Sequence, residues 1–223
     1  MKKYAVIVAA GSGSRMAASI PKQFLPLNGK PVLWYTLKTF LEAFDDLEII
    51  LVLHEDYLQT GKGIIQLTGF ADRIKIITGG PTRFHSVKSG LTLVPHESIV
   101  FVHDGVRCLV SKDLIHRCYK TALETGNAIP AITSPDSIRI VEDNSNRIID
   151  RTKVKLIQTP QTFQSTVLKT AFEQQYEESF TDEASVAEKF GVKITLVEGD
   201  ETNIKITRPL DILLAEKILL NGS

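Results

Sequence analysis

Cysteine is scarce in this sequence: Cys108 and Cys118 are the only two among 223 residues, and they form no metal-ligand pattern. A reduced, cytoplasmic protein is the expected setting. Neither sign of charge is in excess, with 26 lysines and arginines against 26 aspartates and glutamates. That balance argues against a broad nucleic-acid-binding face, although a local cluster of cations stays open. Long hydrophobic runs are missing too. Met1-Lys2-Lys3 leads into an apolar stretch of strand length, too short for a signal peptide or a membrane span, so no membrane partner is expected. Internal repeats, low-complexity segments and flexible linkers are also lacking, which leaves residues 1–223 as one domain-sized unit.

Two familiar phosphate-binding signatures are missing as well. No Gly-Lys-Ser/Thr triplet follows Gly13, which excludes the Walker A loop. Met16 stands where the dinucleotide fingerprint needs its third glycine, and the first acidic candidates after a second strand, Glu55 and Asp56, lie too far along.

What remains is a different glycine loop. Tyr4-Ala5-Val6-Ile7-Val8 is an apolar run suited to a fully buried parallel strand. It passes into Ala9-Ala10-Gly11-Ser12-Gly13-Ser14-Arg15-Met16, where small residues let the backbone bend and turn its N–H groups toward an anion. Arg15 and Lys22 add two fixed positive charges beside that loop. Strand, amide cradle and cations together point to a polyphosphate.

Further along, Gly29-Lys30-Pro31 is expected to open a helix whose apolar face carries Val32, Leu33, Leu37, Phe40 and Leu41. Strands are expected at 49–53, 74–77, 99–102 and 192–197, with a shorter one at 127–131 whose proline suggests an edge or an exit. Between them, helices are expected at 57–70, from Arg83, at 113–124 with Leu114, Ile115, Cys118 and Leu123 as the apolar stripe, at about 166–178, from Thr181 and from Pro209. Gly79-Gly80 is either a plain βα turn or a turn that offers free amides to a ligand. Asp104 and Arg107 follow a buried strand's carboxyl end, where open α/β sheets bind ligands. Ser137–Val141 and Arg147–Arg151 flank a turn-rich segment and read as a β-hairpin inserted among αβ units. A lone two-stranded hairpin is marginal in water, so it must lie on its own domain or on a partner chain.

Seven blocks in this order resemble the 2-C-methyl-D-erythritol 4-phosphate cytidylyltransferases (the IspD family) over nearly the whole length. They are Ala9–Met16, Pro21-Lys22-Gln23-Phe24, Gly79-Gly80-Pro81-Thr82-Arg83, Val102–Arg107, Gln158-Thr159-Pro160-Gln161, Thr181-Asp182-Glu183-Ala184-Ser185 and Asn203-Ile204-Lys205. The resemblance implies an α/β fold of nucleotidyltransferase type: a Rossmann-like, doubly wound, mostly parallel sheet in one domain, 1–223. A β-arm inserted at about 134–155 would protrude and join two subunits into a homodimer. It implies a nucleotidyltransferase that moves CMP from CTP to 2-C-methyl-D-erythritol 4-phosphate with release of pyrophosphate, in non-mevalonate isoprenoid biosynthesis. Mg²⁺ would ride mainly on the triphosphate, and which protein groups ligate it, if any, is not implied.

By the same resemblance Arg15 and Lys22 stabilise the transition state, while Arg151, reaching in from the partner's arm, and Lys205 hold methylerythritol phosphate for attack. Ala9, Ala10, Gly11, Gly13, Gly80, Ser86 and Asp104 line the nucleotide pocket, and Arg107, Ser137 and Thr159 match positions near the polyol. Cys108 stands where the family commonly has proline, and Asp136-Ser137-Ile138-Arg139 departs from Asp-Thr-x-Lys, keeping a hydroxyl and a positive charge. The chemistry suits cations: the substrate phosphate is already a nucleophile, so the task is to bring two anions together and stabilise the departing charge. A ribitol-5-phosphate cytidylyltransferase, or a silent nucleotide-binding module, would share the nucleotide loop; the module would not need Arg151 and Lys205.

Overall fold

The N-terminal apolar run forms strand β1 (Lys3–Ala9) at the centre of the computed structural model, which describes residues 1–11, 20–143 and 145–221. Its alternation divides two cores: Ala5, Ile7 and Ala9 pack on one face of the sheet, Tyr4 and Val6 on the other. After a short 3-10 turn at Lys22–Phe24, strands β2 (Pro26–Leu27) and β3 (Lys30–Pro31) form a minimal hairpin. Asn28 and Gly29 sit at its tip with φ of 44° and 78°, the pair of left-handed residues that such a tight turn demands. This turn delays the expected helix, so α1 runs from Val32 to Ala43 with Pro31 just before it. Leu33, Leu37, Phe40 and Leu41 then point into the first core, as their spacing requires.

The chain continues through β4 (Leu47–Leu53), α2 (Leu58–Thr68), β5 (Ile74–Thr78), α3 (Arg83–Leu91) and β6 (Ile99–Asp104). β4 and β6 both pair parallel with β1, on opposite sides, and β5 extends the sheet parallel to β4. Helices α1 and α2 cover the first core and α3 the second. The winding therefore reverses between β1 and β6, which makes the crevice beyond their carboxyl ends a topological switch point.

The rest mixes directions. Helix α4 (Lys112–Thr125) buries Leu114, Ile115, Cys118 and Ala122 in the first core, and the expected Leu123 turns outward instead. Strand β7 (Asn127–Thr133) is no edge: it pairs with β10 (Lys155–Ile157), β11 (Gln161–Gln164) and β12 (Leu196–Glu198) despite Pro130, whose carbonyl accepts the Gln158 N–H at 2.8 Å. β11 bridges to β6, antiparallel to both neighbours, so the sheet is mixed: its β6-β1-β4-β5 half is wholly parallel, and the other half carries the antiparallel pairings. The expected strand at 192–197 shrinks to β12, and the helix expected at about 166–178 shrinks to α5 (Ser165–Ala171). Helices α5 and α6 (Glu183–Lys189) cover the second core. Helix α7 (Pro209–Asn221) closes a third cluster with Leu27, Val32, Val106, Cys108 and Ile206. Burial pushes the Cys108 and Cys118 thiols up to about 12, so both are inert core residues.

Strands β8 (Ile138–Glu142) and β9 (Ser145–Ile149) form the inserted hairpin and, among the described residues, pair only with one another. Arg151 falls beyond β9, in a 3-10 turn at Arg151–Lys153, rather than inside the strand. Val141 is 73% exposed and Ile148 68% exposed.

Candidate active-site cleft at the carboxyl end of the sheet

A cleft of about 350 Å³ opens over the switch point. The end of β1 and the residues after it give one wall, with Val8, Ala9, Ala10 and Gly11. Lys22 and Gln23 give the next, Gly80 to Arg83 with Ser86 the third, and Asp104, Val106 and Lys205 the floor and far side. Eight of the fourteen sequence-derived candidates thus meet in one place: Ala9, Ala10, Gly11, Lys22, Gly80, Ser86, Asp104 and Lys205. Gly13 and Arg15 lie outside the described residues.

Each wall is held by its own local bonds. Gln23, buried, donates its amide to the Ala9 carbonyl at 2.7 Å and the Gly11 carbonyl at 3.0 Å. Those two bonds fasten the Lys22 segment to the glycine loop. Ser86 Oγ accepts the Gly80 N–H at 3.1 Å and so ties the start of α3 to the turn before it. A Cβ at Gly79 would come within 2.6 Å of the Ala10 Cβ, so only glycine lets the β5 turn approach the first loop this closely.

Asp104 is the hub. Its Oδ1 accepts from Arg83 Nε at 3.2 Å and its Oδ2 pairs with Lys205 Nζ at 2.8 Å, with Arg107 Nε 3.9 Å away. Burial alone would raise its carboxyl, but Arg83, then Lys205 and Arg107, outweigh that and hold it far below the usual carboxylate range. Arg83 in turn grips Glu183 with both terminal nitrogens, NH2 at 3.0 Å from Oε2. Three cations thus face two carboxylates, leaving one positive charge, and Lys22 on the opposite wall adds another. Such a cleft favours an anion.

Beneath Asp104 runs a second set of bonds. The Asp104 N–H donates to Thr159 Oγ1 at 3.2 Å, and that hydroxyl lies 2.9 Å from His103 Nδ1. His103 Nε2 lies 3.1 Å from the Arg107 carbonyl and must donate to it. Nδ1 is then the acceptor of the Thr159 proton, and His103 is neutral. Its complete burial agrees, pushing its pKa down to about 3. Thr159 is therefore spent on supporting the end of β6, not on facing the cleft.

Lys205 owes its place to a braced loop. Gln158 Nε2 donates to the Asp200 carbonyl at 2.8 Å, Asn203 Nδ2 to the Thr159 carbonyl at 2.8 Å, and Arg107 NH1 to the Asn203 carbonyl at 2.7 Å. The Ile206 N–H closes onto the Val106 carbonyl at 3.0 Å. Arg107 thus acts as a strut under Lys205. Ser137 and Arg151 are not in this cleft: both are exposed at the base of the hairpin, and Arg151 NH1 donates to the Pro135 carbonyl at 2.6 Å. Gln23, Arg83, His103, Glu183 and Asn203 were not singled out from sequence. All five lie inside the quoted motifs, and membership of those blocks is the one signal the sequence offers for them.

The sequence profile of the family described as IspD, 2-C-methyl-D-erythritol 4-phosphate cytidylyltransferase, matches residues 4–221. A 2-C-methyl-D-erythritol 4-phosphate cytidylyltransferase of Phocaeicola vulgatus is 43% identical over 98% of this chain and 100% of its own. The 4-diphosphocytidyl-2C-methyl-D-erythritol synthase structure from Anaerococcus prevotii superposes with a TM-score of 0.85 at 31% identity, covering 98% of this chain and 96% of that one. The 2-C-methyl-D-erythritol 4-phosphate cytidylyltransferase structure from Francisella tularensis gives 0.80 at 32% identity, covering 97% and 99%.

Proposed function

The chain belongs to the 2-C-methyl-D-erythritol 4-phosphate cytidylyltransferase family, and on that premise we propose how its cleft works. It is a nucleotidyltransferase of non-mevalonate isoprenoid biosynthesis, transferring CMP from CTP to 2-C-methyl-D-erythritol 4-phosphate. A phosphate oxygen of methylerythritol phosphate attacks the α-phosphorus of CTP, the bond to the β-phosphate oxygen breaks, and pyrophosphate leaves with the electron pair. No general base is needed, because the nucleophile is already ionised. The observation that carries the reading is the pairing across one cleft of Lys22, beside the glycine loop, with Lys205, held by Asp104.

In this reading Ala9, Ala10, Gly11, Gly80 and Ser86 seat the nucleotide, and Lys22 with Arg15 stabilises the charge that develops on the phosphoryl oxygens and pyrophosphate. Lys205 binds the phosphate of the acceptor. Among the described residues no three His, Cys, Asp or Glu side chains cluster as metal ligands, and Asp104 is already shared among cations. In this reading Mg²⁺ enters bound to the triphosphate of CTP, as part of the nucleotide substrate. The whole chain serves as one nucleotidyltransferase unit. The inserted arm packs against a second copy, where Arg151 and Ser137 complete the partner's cleft. Exposed Val141 and Ile148 on the arm support that role. Among the described residues no helix is long and apolar enough to cross a membrane, and the cytoplasm is the setting we propose.

Pyrophosphate release from CTP tests the reading. Methylerythritol phosphate is expected to drive turnover, ribitol 5-phosphate to give little, and ATP or GTP to replace CTP poorly. Ribitol 5-phosphate turned over as well as methylerythritol phosphate would contradict it.

A further inference from the structure

The motif Thr181-Asp182-Glu183-Ala184-Ser185 has no part in the mechanism so far, yet its glutamate ends in the middle of the charge network. Glu183 is fully buried and cannot touch a substrate. Its backbone is fixed on both sides. Asp182 and Ser185 form a capping box at the start of α6, and Gln161 clamps the same turn, donating to Asp182 Oδ2 at 2.9 Å and accepting the Ala184 N–H at 2.8 Å. From that fixed point charges alternate toward the cleft: Glu183, Arg83, Asp104, Lys205. Only the last is substantially open, its side chain 38% exposed.

We infer that Glu183 is a positioning residue, which occupies the fork of Arg83 so that one oxygen of Asp104 stays free to hold Lys205 in the cleft. This role rests on the cytidylyltransferase reading. The geometry of arginine carries the argument. Arg83 offers Glu183 its two terminal nitrogens and Asp104 only Nε, so it takes a single oxygen of Asp104. The other oxygen, Oδ2, is left for Lys205. Without a charge at position 183, the fork of Arg83 turns to the nearest carboxylate, because two-point pairing is its best arrangement. That carboxylate is Asp104, and both of its oxygens would then be taken. Lys205 would lose its anchor although nothing in the cleft wall had changed. A purely structural purpose accounts poorly for this design, since a buried ion pair adds little net stability over apolar packing.

The test compares wild type, Glu183→Gln and Glu183→Asp in the pyrophosphate-release assay, with CTP binding followed separately by calorimetry and folding by thermal unfolding. In Glu183→Gln the KM for methylerythritol phosphate should rise about tenfold, the factor that one lost charged hydrogen bond carries, while CTP affinity changes less than about twofold. Glu183→Asp, which keeps the charge, should recover part of that rise. A wild type that releases no pyrophosphate with methylerythritol phosphate overturns the function itself. An active wild type whose variants lose both substrates in parallel, or neither, overturns the role of Glu183 alone. So does loss of the fold in both variants, since Glu183 would then serve the fold and not Lys205.

Discussion

At the scale of single residues, the active cleft depends on groups that look unremarkable in the sequence. His103 follows an apolar strand and reads as part of a motif, but its function is set by complete burial and by two hydrogen bonds that fix one tautomer. Its folded-state pKa lies near 3, well below that of an exposed histidine, so between these values the unfolded chain binds the extra proton. Stability conferred by neutral His103 is therefore complete above about pH 6.5 and is lost as the pH falls toward 3. Urea unfolding between pH 7 and 4 should show stability falling with a His103 contribution of up to ~1.4 kcal/mol per pH unit, and His103→Gln should flatten that slope. An unchanged slope in the variant would mean that His103 is not the titrating group. Asp104 was legible because it follows a buried strand's end. Glu183 was not: its meaning comes from Arg83, a hundred positions away, and no local pattern announces such a partner.

At the scale of elements, the strongly apolar runs were legible and the weakly patterned ones were not. β1, β4 and β6 are buried on both faces, so their composition alone announces them. β10 is exposed along its length and β12 mostly so, and their pairing with β7 is decided by tertiary contacts. The Lys22 segment shows how a short element is placed without a core of its own. Gln23 supplies the attachment, and Gln23→Leu would keep its bulk while leaving the Ala9 and Gly11 carbonyls without its amide. A stability loss of about 1–3 kcal/mol is expected, together with weaker CTP binding, because Lys22 is carried on the same turn. Chemical denaturation and calorimetry measure the two effects. Unfolding at wild-type denaturant concentration would show that the amide bonds do not hold the segment.

At the scale of the whole molecule, the doubly wound sheet sets where the cleft must open, and in the proposed dimer the arm of a second copy completes it. The order of the motifs was enough to read the fold, because each motif caps the carboxyl end of a strand or the loop facing it. The place of Arg151 was not readable from one chain: in its own chain it rests on the Pro135 carbonyl, away from Lys22 and Lys205. We propose a composite site, one chain's cleft joined to another chain's arm, and mixing two inactive variants tests that proposal most directly. Lys22→Ala and Arg151→Ala should each lose about 10²–10³ in turnover when assayed alone. After unfolding and refolding together, about half of the dimers are mixed, with one intact site each, so roughly a quarter of wild-type activity should return. A Lys22→Ala parent with near wild-type turnover would remove the cleft from the chemistry. A mixture that stays as inactive as its parents, although mixed dimers form, would show that no site is shared between chains.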